Sequence, residues 1–328
     1  MTQTENGHPD RAPGRDGRAA RRRRRAEQLM VPEAEFTSYY GRPVIKEPAW
    51  GVPDVPGYLF LGGLAGASSV LAAGAELSGY GELARVAKVG ALGAISLSAV
   101  ALVHDLGRPE RFVNMLRVFK PSSPMSVGSW LLSAYGPLAG AAAVSDVTGI
   151  LPAAGTAATL GASLLGPAIA TYTAALICDT AVPGWHEGHR EMPYLFASSA
   201  SCAAAGLGLL TLPPAAARPA STLATLGAPA ELVAKRLLLR RLGDIAEPYE
   251  TGRPGRMLRA AEVLTVGGLA GAVLGRRNRA VSALAGASLL AASALTRFGV
   301  FEAGMATARD PKYTIVAQRR RRDRRGMN

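Results

Sequence analysis

The sequence has 328 residues, of which 48% are apolar and 19% are charged, below the roughly 25% charged residues of soluble domains. Its net charge of +13 comes mostly from the two ends: residues 1–25 hold eight Arg against three acids, and residues 309–328 hold eight basic residues against two acids. A nucleic-acid-binding module is excluded, because it needs its basic residues on a folded surface. The composition indicates two basic tails attached to an apolar body.

The N-terminal region, residues 1–50, is polar. The run Arg21–Arg25 is not followed by an apolar segment within the reach of a signal peptide, so neither a secretory nor a twin-arginine signal fits. We predict that residues 1–50 form an Arg-rich, largely disordered cytoplasmic tail. Residues 306–328 are predicted as a second basic cytoplasmic tail, with a membrane domain over residues 51–305 between the two.

Eight stretches are long and apolar enough to cross about 30 Å of hydrocarbon as helices. The predicted spans are 56–78, 84–104, 127–149, 154–178, 193–213, 219–239, 258–275 and 280–301. The sixth is the weakest, because Pro229, Glu231 and Lys235 interrupt it, and it suits packing against other helices better than contact with lipid. The frequent Gly, Ala and Ser residues allow helix backbones to approach closely. We therefore predict an all-α integral membrane protein with about eight transmembrane helices.

The orientation follows from Lys and Arg in the loops, which are in excess on the cytoplasmic side. The loops after the second and sixth spans are rich in Arg, and those after the first, third and fifth are poor. The loop after the seventh span is an exception to this pattern, because it contains Arg276, Arg277 and Arg279. Arg outnumbers Lys by 32 to 5, which suggests a GC-rich bacterial genome. We predict a multi-pass protein of the bacterial plasma membrane with both termini cytoplasmic.

Two short matches at an offset of 136 residues suggest an internal repeat, although chance could also produce them. Tyr58-Leu59-Phe60 opens the first span and Tyr194-Leu195-Phe196 opens the fifth. At the same offset, Leu106-Gly107 follows the second span and Leu242-Gly243 follows the sixth. A repeat unit of four spans preserves orientation and would give two parallel four-helix bundles.

The segment His104–Phe112, at the end of the second span, places one imidazole, two carboxylates and two guanidiniums at the membrane boundary. One interpretation is a helix end before a positive loop, with Asp105 paired to Arg108 or Arg111. The other is a quinone site, because quinone reduction needs hydrogen-bond donors at the carbonyls and two protons. On a helix, His104 and Arg108 share a face and could address one carbonyl, while Asp105 could orient a neighbour.

A second polar segment extends from Tyr172 to Glu191. Asp179 lies just past an apolar run, and an ionisable group inside a membrane is a functional candidate. His186 and His189 have no third ligand nearby, which argues against zinc, and we predict no metal site.

Several other residues have two readings each. Glu76 could belong to a proton path or reach the headgroups, and the second is favoured. Arg297 and Glu302 in the eighth span could snorkel or form pairs. Trp185 and Tyr194 are predicted as interfacial anchors rather than platforms for a cofactor.

Cysteine and histidine usage limits the cofactors. Cys178 and Cys202 lie in apolar stretches without CxxC spacing, so the chain cannot by itself hold an iron–sulfur cluster, and both are predicted to be buried thiols. None of the four histidines lies in the middle of a span, where a b-type haem needs its axial ligands. We predict neither haem nor an iron–sulfur cluster in this chain.

Five motifs occur in one order along residues 45–200: Pro56–Gly63, Asp105–Phe112, Ser123–Trp130, Tyr172–Leu176, and the pattern Pro183, Trp185, Pro193, Leu195-Phe196. In these motifs the sequence resembles the NrfD/polysulfide reductase membrane-subunit family, the anchors of molybdopterin oxidoreductases. The second half of the chain fits the family mainly by its hydropathy.

The resemblance implies a haem-free, eight-helix subunit that exchanges electrons and protons with menaquinone or ubiquinone. A four-cluster iron–sulfur subunit would dock on it, near a quinone site in the first four helices, and connect it to a molybdopterin catalytic subunit. The residues that the family motifs carry over are Tyr58, Asp105, Arg108 and Tyr172. His104 and Asp179 are added from their own chemistry. Family members commonly meet their partner on the periplasmic side. The loop charges here instead place the cluster Asp105–Phe112 on the cytoplasmic side.

Two other functions remain open. A secondary transporter would show broken helices in both halves and ionisable groups at mid-depth. A structural anchor would have no quinone site. The charges here lie mostly at the ends of the spans, which favours the quinone-reactive subunit over the transporter.

Overall fold

The computed structural model describes residues 45–107 and 114–315, and within them the long elements are all helices. The eight long helices are α1 (Asp54–Leu77), α2 (Gly81–Asp105), α3 (Pro124–Thr148), α4 (Pro152–Cys178), α5 (Met192–Thr211), α6 (Arg218–Leu242), α7 (Gly252–Leu274) and α8 (Arg279–Arg309). All except α6 are apolar and long enough to cross a membrane. The chain is therefore an all-α, multi-pass membrane protein, as predicted.

The predicted spans coincide with these helices, and their ends differ by six residues or fewer except at the end of α8. This helix continues to Arg309, beyond the predicted end at 301 and the predicted domain boundary at 305. Its last turns are held by packing, since Thr307 is fully buried and its Oγ1 accepts a hydrogen bond from Gly184 N at 3.0 Å. Residues 1–44 and 316–328, which make up most of the predicted tails, lie outside the described residues.

Local sequence explains where several helices begin and end. Pro124 and Pro152 stand in the first turns of α3 and α4, where backbone N–H groups have no partner within the helix and proline removes nothing. Gly149 ends α3 with φ 72°, a left-handed conformation that glycine adopts without steric cost. Asn278 caps α8, because its Oδ1 accepts from Ala280 N at 3.0 Å.

The helices pack in the same pattern in each half of the chain. In the first half α1 contacts α2 and α4, and α3 contacts both α2 and α4. In the second half α5 contacts α6 and α8, and α7 contacts both α6 and α8. The two most buried helices, α1 and α5, meet at the centre. This pattern agrees with the predicted pair of four-helix bundles.

The two ends of the bundle differ in their connections. At one end, called here the short-turn end, the helices are joined by residues 78–80, 149–151, 212–217 and 275–278. At the other, called here the long-loop end, the connections are residues 106–123, 179–191 and 243–251. The long-loop end also holds the start of α1 and the end of α8.

Ion pairs join three helices at the short-turn end. Lys88, with only 6% of its side chain exposed, places its Nζ 2.7 Å from Glu76 Oε2 and 3.0 Å from Asp146 Oδ1. Arg85 Nε lies 2.7 Å from the other oxygen of Asp146. Glu76 is thus a half-buried partner of Lys88 at the end of α1, in a network that links α1, α2 and α3.

Candidate functional site

Residues from the start of α1 and the end of α2 meet at the long-loop end. His104 Nδ1 lies 2.9 Å from Asp54 Oδ2, and Asp105 Oδ1 accepts a hydrogen bond from Gly51 N at 3.1 Å. The His104 side chain is 77% exposed, while Asp105 is half-buried. The structure therefore gives His104 a carboxylate partner, Asp54, that the sequence did not predict.

Arg108 belongs to residues 108–113, which lie outside the described residues. The predicted face shared by His104 and Arg108 therefore remains a prediction, as do the alternative pairs between Asp105 and Arg108 or Arg111. The described part of the site is formed by Asp54, His104 and Asp105 at the long-loop end of the bundle. We call it the edge at His104.

A groove follows the outer face of α2 up to this edge. It is an open groove of about 610 Å³, lined by Ala99, Val100, Val103, His104 and Gly107. Among the described residues its lining is apolar apart from His104, and Val100 is 66% exposed. A groove of this kind fits a ligand with an apolar tail along α2 and a polar head beside the imidazole.

Tyr58 and Tyr172 form a buried pair behind this edge. Their ring centroids are 6.3 Å apart in an edge-to-face arrangement, and only 4% of Tyr58 is exposed. Tyr58 follows Asp54 by one helical turn, so both lie on one face of α1. Gly128 of α3 leaves room for the Tyr172 ring, because a Cβ there would overlap it. The structure thus brings together two of the predicted residues and joins α1, α3 and α4.

Asp179 does not join this group. It is the exposed residue that ends α4, and within the described residues its side chain makes no hydrogen bond or ion pair. The reason for choosing it, an ionisable group inside the membrane, therefore does not apply. Any role for Asp179 would be that of a surface residue at the long-loop end.

Trp185, in the connection between α4 and α5, is a core residue. It is fully buried, its ring stacks on Trp50 at 5.7 Å between centroids, and Phe301 lies 5.5 Å away on the same measure. Its Nε1 donates to Val300 O at 2.9 Å. The prediction of an interfacial anchor is wrong for Trp185, whose indole N–H finds its partner on α8 rather than at the headgroups. Tyr194, which is 73% exposed, lies at the surface.

The connection 179–191 is held by further side chains. Tyr249 OH donates to Gly184 O at 2.8 Å, and burial raises the pKa of Tyr249 well above its ordinary value, so the phenol remains a donor. His186 Nδ1 lies 3.2 Å from Cys178 O, and His189 Nδ1 lies 2.9 Å from His186 O. These contacts fix the loop against α4 and the connection between α6 and α7.

The second half contains two buried charged residues that the sequence reasoning did not bring together. Glu231 of α6 is 3% exposed and Arg297 of α8 is fully buried. Arg297 Nη2 donates to Phe196 O at 2.6 Å, and its guanidinium carbon lies 3.7 Å from the centroid of the Phe196 ring. Snorkelling is therefore wrong for Arg297, whereas Glu302 does form a pair, with Arg253 at 3.5 Å. The sequence signal that could have indicated this site is the presence of a Glu and an Arg inside predicted spans, where ionisable residues are rare.

The two cysteines agree with their prediction. Cys178 and Cys202 are both buried, free thiols.

Comparison with known proteins identifies one matching family model. The model described as "Polysulphide reductase, NrfD" matches residues 45–226, more than half of the chain. The matched stretch starts before α1 and ends within α6, and it contains Asp54, Tyr58, His104, Asp105 and Tyr172. A search of curated proteins finds no match.

Proposed function

The chain belongs to the NrfD polysulphide reductase family, and from this premise we propose that it is the haem-free, quinone-reactive membrane subunit of an oxidoreductase complex. The observation that carries this function is the match over residues 45–226, because this range holds α1 to α5 and every candidate residue of the site. A protein of this class takes no part in the chemistry of the distant substrate. It transfers electrons and protons between its partner and membrane quinone.

The proposed quinone position is the edge at His104, with the tail of menaquinone or ubiquinone in the groove along α2. Asp54 holds the imidazole through Nδ1, which leaves Nε2 for a quinone carbonyl. Asp105 and Arg108 complete the polar wall in this proposal. Reduction adds two electrons and two protons to the quinone, and the residues of this chain bind the head and supply the protons.

The other candidate residues are proposed to support the quinone site without contacting the quinone carbonyl. Tyr58 and Tyr172 lie behind the edge and fix the ends of α1 and α4. Asp179, exposed at the same end, is proposed as a contact of the bound head group or of the partner. His104 is the residue whose position supports the proposal best, because it is the polar side chain among the described residues that line the groove.

The proposed partners are a four-cluster iron–sulfur subunit and, through it, a molybdopterin catalytic subunit. The long-loop end supports their docking, because it carries the three long connections as well as the edge at His104.

Purification of the chain from its native membranes tests this proposal. Co-purifying subunits that contain molybdenum and iron–sulfur clusters, with turnover linked to quinone, are expected. A chain that purifies alone and catalyses solute exchange would instead identify a transporter.

We predict that both termini lie in the cytoplasm, because the Arg-rich tails and the Arg-rich loops after α2 and α6 then share one side. A reporter that is active only in the periplasm, fused to Asn328, is expected to give no signal. The same reporter inserted in the connection 149–151 at the short-turn end is expected to be active. The reverse pattern would place the long-loop end in the periplasm.

The isolated chain is expected to carry no chromophore. Its four histidines lie outside the middle of the spans, and its two cysteines lie on different helices, α4 and α5. A visible spectrum and an iron assay of the purified chain provide the measurement. A stoichiometric haem band would contradict the haem-free assignment.

A further inference from the structure

Glu231 is a carboxylate near the middle of α6, a helix that packs against the membrane-spanning α5 and α7. It lies eleven residues before the end of α6, about 16 Å along the helix axis, and 3% of it is exposed. Arg297 lies at a comparable depth, twelve residues before the end of α8. A bilayer has a hydrocarbon core of about 30 Å, so both groups lie near its centre. Ionisable groups at this depth are costly and are usually retained for a function.

Hydroxyl groups of Thr296, Thr265 and Ser199 surround the carboxylate. Thr296 Oγ1 lies 2.9 Å from Glu231 Oε1, and Thr265 Oγ1 lies 3.5 Å from Oε2. A hydroxyl can either donate or accept, so these groups can donate to a carboxylate and can equally accept from a carboxylic acid. The site can therefore hold either form of Glu231 without moving a helix.

Arg297 does not lock Glu231 in its ionised form. Among the described residues, the two side chains form no ion pair within 4.0 Å, and Arg297 instead bonds to Phe196 O. Its Nε and Nη1 are buried and have no hydrogen-bond partner in the described part of the chain. Buried N–H groups of this kind are normally satisfied by ordered water. The positive charge favours the carboxylate from a distance, while the apolar surroundings favour the neutral acid.

A cleft leads from Glu231 toward the long-loop end. It lies between α5, α6, α7 and α8 and is narrow, with a volume of about 10 Å³, which is room for about one water molecule. Its mostly apolar lining includes Glu231, Lys235, Tyr249, Glu262 and Thr265. Lys235 lies one turn beyond Glu231 on α6 and places its Nζ 2.8 Å from Glu262 Oε2. The Glu262 side chain is 38% exposed. Glu262 lies ten residues after the start of α7, about 15 Å along the helix axis, so the pair of Lys235 and Glu262 stands beside Glu231 at a similar depth.

The charged and titratable groups around Glu231 come from each neighbouring helix. They are Cys202 on α5, Lys235 on α6 itself, Glu262 on α7, Arg297 on α8, and Tyr249 from the connection between α6 and α7. Lys235 and Glu262 form an ion pair in the cleft and neutralise each other. Arg297 is then the one net charge of this group acting on Glu231.

We propose that Glu231 is a proton-binding site in the middle of the membrane, which exchanges protons with the long-loop end through the cleft between α5 and α8. The carboxylate takes up one proton that enters the cleft from the long-loop end and becomes a carboxylic acid, and it releases the proton by the same route. This site is separate from the proposed quinone position, which lies in the first four helices. It gives the second half of the chain a proton-handling function of its own.

Infrared spectroscopy of the full chain in liposomes tests this proposal without a partner or quinone. A carboxylic-acid C=O band that appears as the pH is lowered is expected in the natural protein and is expected to disappear in Glu231→Gln. In Glu231→Asp the band should shift in frequency, which assigns it even if Glu231→Gln does not fold. The matched control is Glu302→Gln, which changes a carboxylate paired at the end of α8 and should leave the band in place.

The side of access is tested in liposomes whose chains are oriented uniformly. A pH jump on the side of the long-loop end should change the band, and an equal jump on the other side should not. Absence of a titrating band, or a band that persists in Glu231→Gln, would overturn the proposal. A response only to the short-turn side would refute the route through the cleft. None of these results depends on quinone activity, so they do not decide the proposed function.

Discussion

Replacing His104 with Gln is expected to lower the quinone-linked turnover of the assembled complex by about 10²-fold, the usual scale for losing a general acid or base. Gln can still form hydrogen bonds near Asp54, but it cannot carry a proton at neutral pH. Turnover with a soluble quinone analogue is the measurement. Turnover with a soluble dye that exchanges electrons with the partner, upstream of the quinone, should survive.

The matched control is His189→Gln. His189 is another exposed imidazole at the long-loop end, and its Nδ1 contacts His186 O rather than a carboxylate. Both assays should give unchanged rates in this variant. An equal loss in both assays for His104→Gln, or a failure to assemble, would show that His104 holds the structure together. Unchanged rates in both would exclude it from the mechanism.

Asp105→Asn distinguishes two roles of the neighbouring carboxylate. The Asn oxygen can still accept the hydrogen bond from Gly51 N that Asp105 Oδ1 accepts at 3.1 Å. The substitution therefore keeps the contact and removes the charge and the capacity to carry a proton. A quinone-specific loss comparable with that of His104→Gln is expected if Asp105 supplies a proton. Normal turnover would show that Asp105 only holds the backbone of residue 51 in place and supplies no proton.

Hydropathy predicted the helices of this chain well because each span is a local property. The limits of α1 to α5 are set within a few residues by turn signals such as Pro124, Pro152 and Gly149. The end of α8 was missed because it depends on a distant contact, in which Gly184 N donates to Thr307. No local signal near residue 301 distinguishes a helix that stops from one that continues along a buried loop.

The candidate site was predicted only where its residues are neighbours in sequence. His104 and Asp105 stood out as a cluster, but the Asp54 partner of His104 lies 50 residues away, and nothing local connects them. For a related reason, the sequence did not predict that Glu231 and Arg297 are buried in one site. Averaged hydropathy treats one charge as a weak point of a span, and it takes the packing of α5, α6, α7 and α8 to show that the charge is enclosed.

Close contacts between glycines suggest the largest effects on stability. Gly66 of α1 faces Gly166 of α4, and a Cβ on Gly66 would overlap the carbonyl oxygen of Gly166 and lie 3.1 Å from Ala170 N. In the second half, a Cβ on Gly206 of α5 would lie 2.7 Å from Gly286 O of α8. The crossings of α1 with α4 and of α5 with α8 thus use the same device at corresponding places in the two bundles.

Gly66→Ala and Gly206→Ala are each expected to lower the free energy of unfolding by about 1–3 kcal/mol, the usual cost of overpacking. The atoms in the way are backbone, which cannot rotate aside as a side chain can, so the helices must separate and lose their close packing. The better helix propensity of alanine offsets only about 0.5–1 kcal/mol of this. Unfolding of the purified chain in mixed micelles, by titration with a denaturing detergent, measures the difference.

Gly74→Ala on α1 and Gly267→Ala on α7 are the matched controls, because a Cβ at either position has nothing within 4 Å. Both should be neutral or slightly stabilising, since only the propensity of the helix changes. The contrast between Gly66 and Gly74 is the sharper one, because both glycines belong to the same helix. If Gly66→Ala proved as stable as Gly74→Ala, α1 and α4 could not approach as closely as their backbones do here. If only Gly206→Ala destabilised the chain, the crossing of α1 with α4 would not be equivalent to that of α5 with α8. The two halves would then not be two bundles with the same packing.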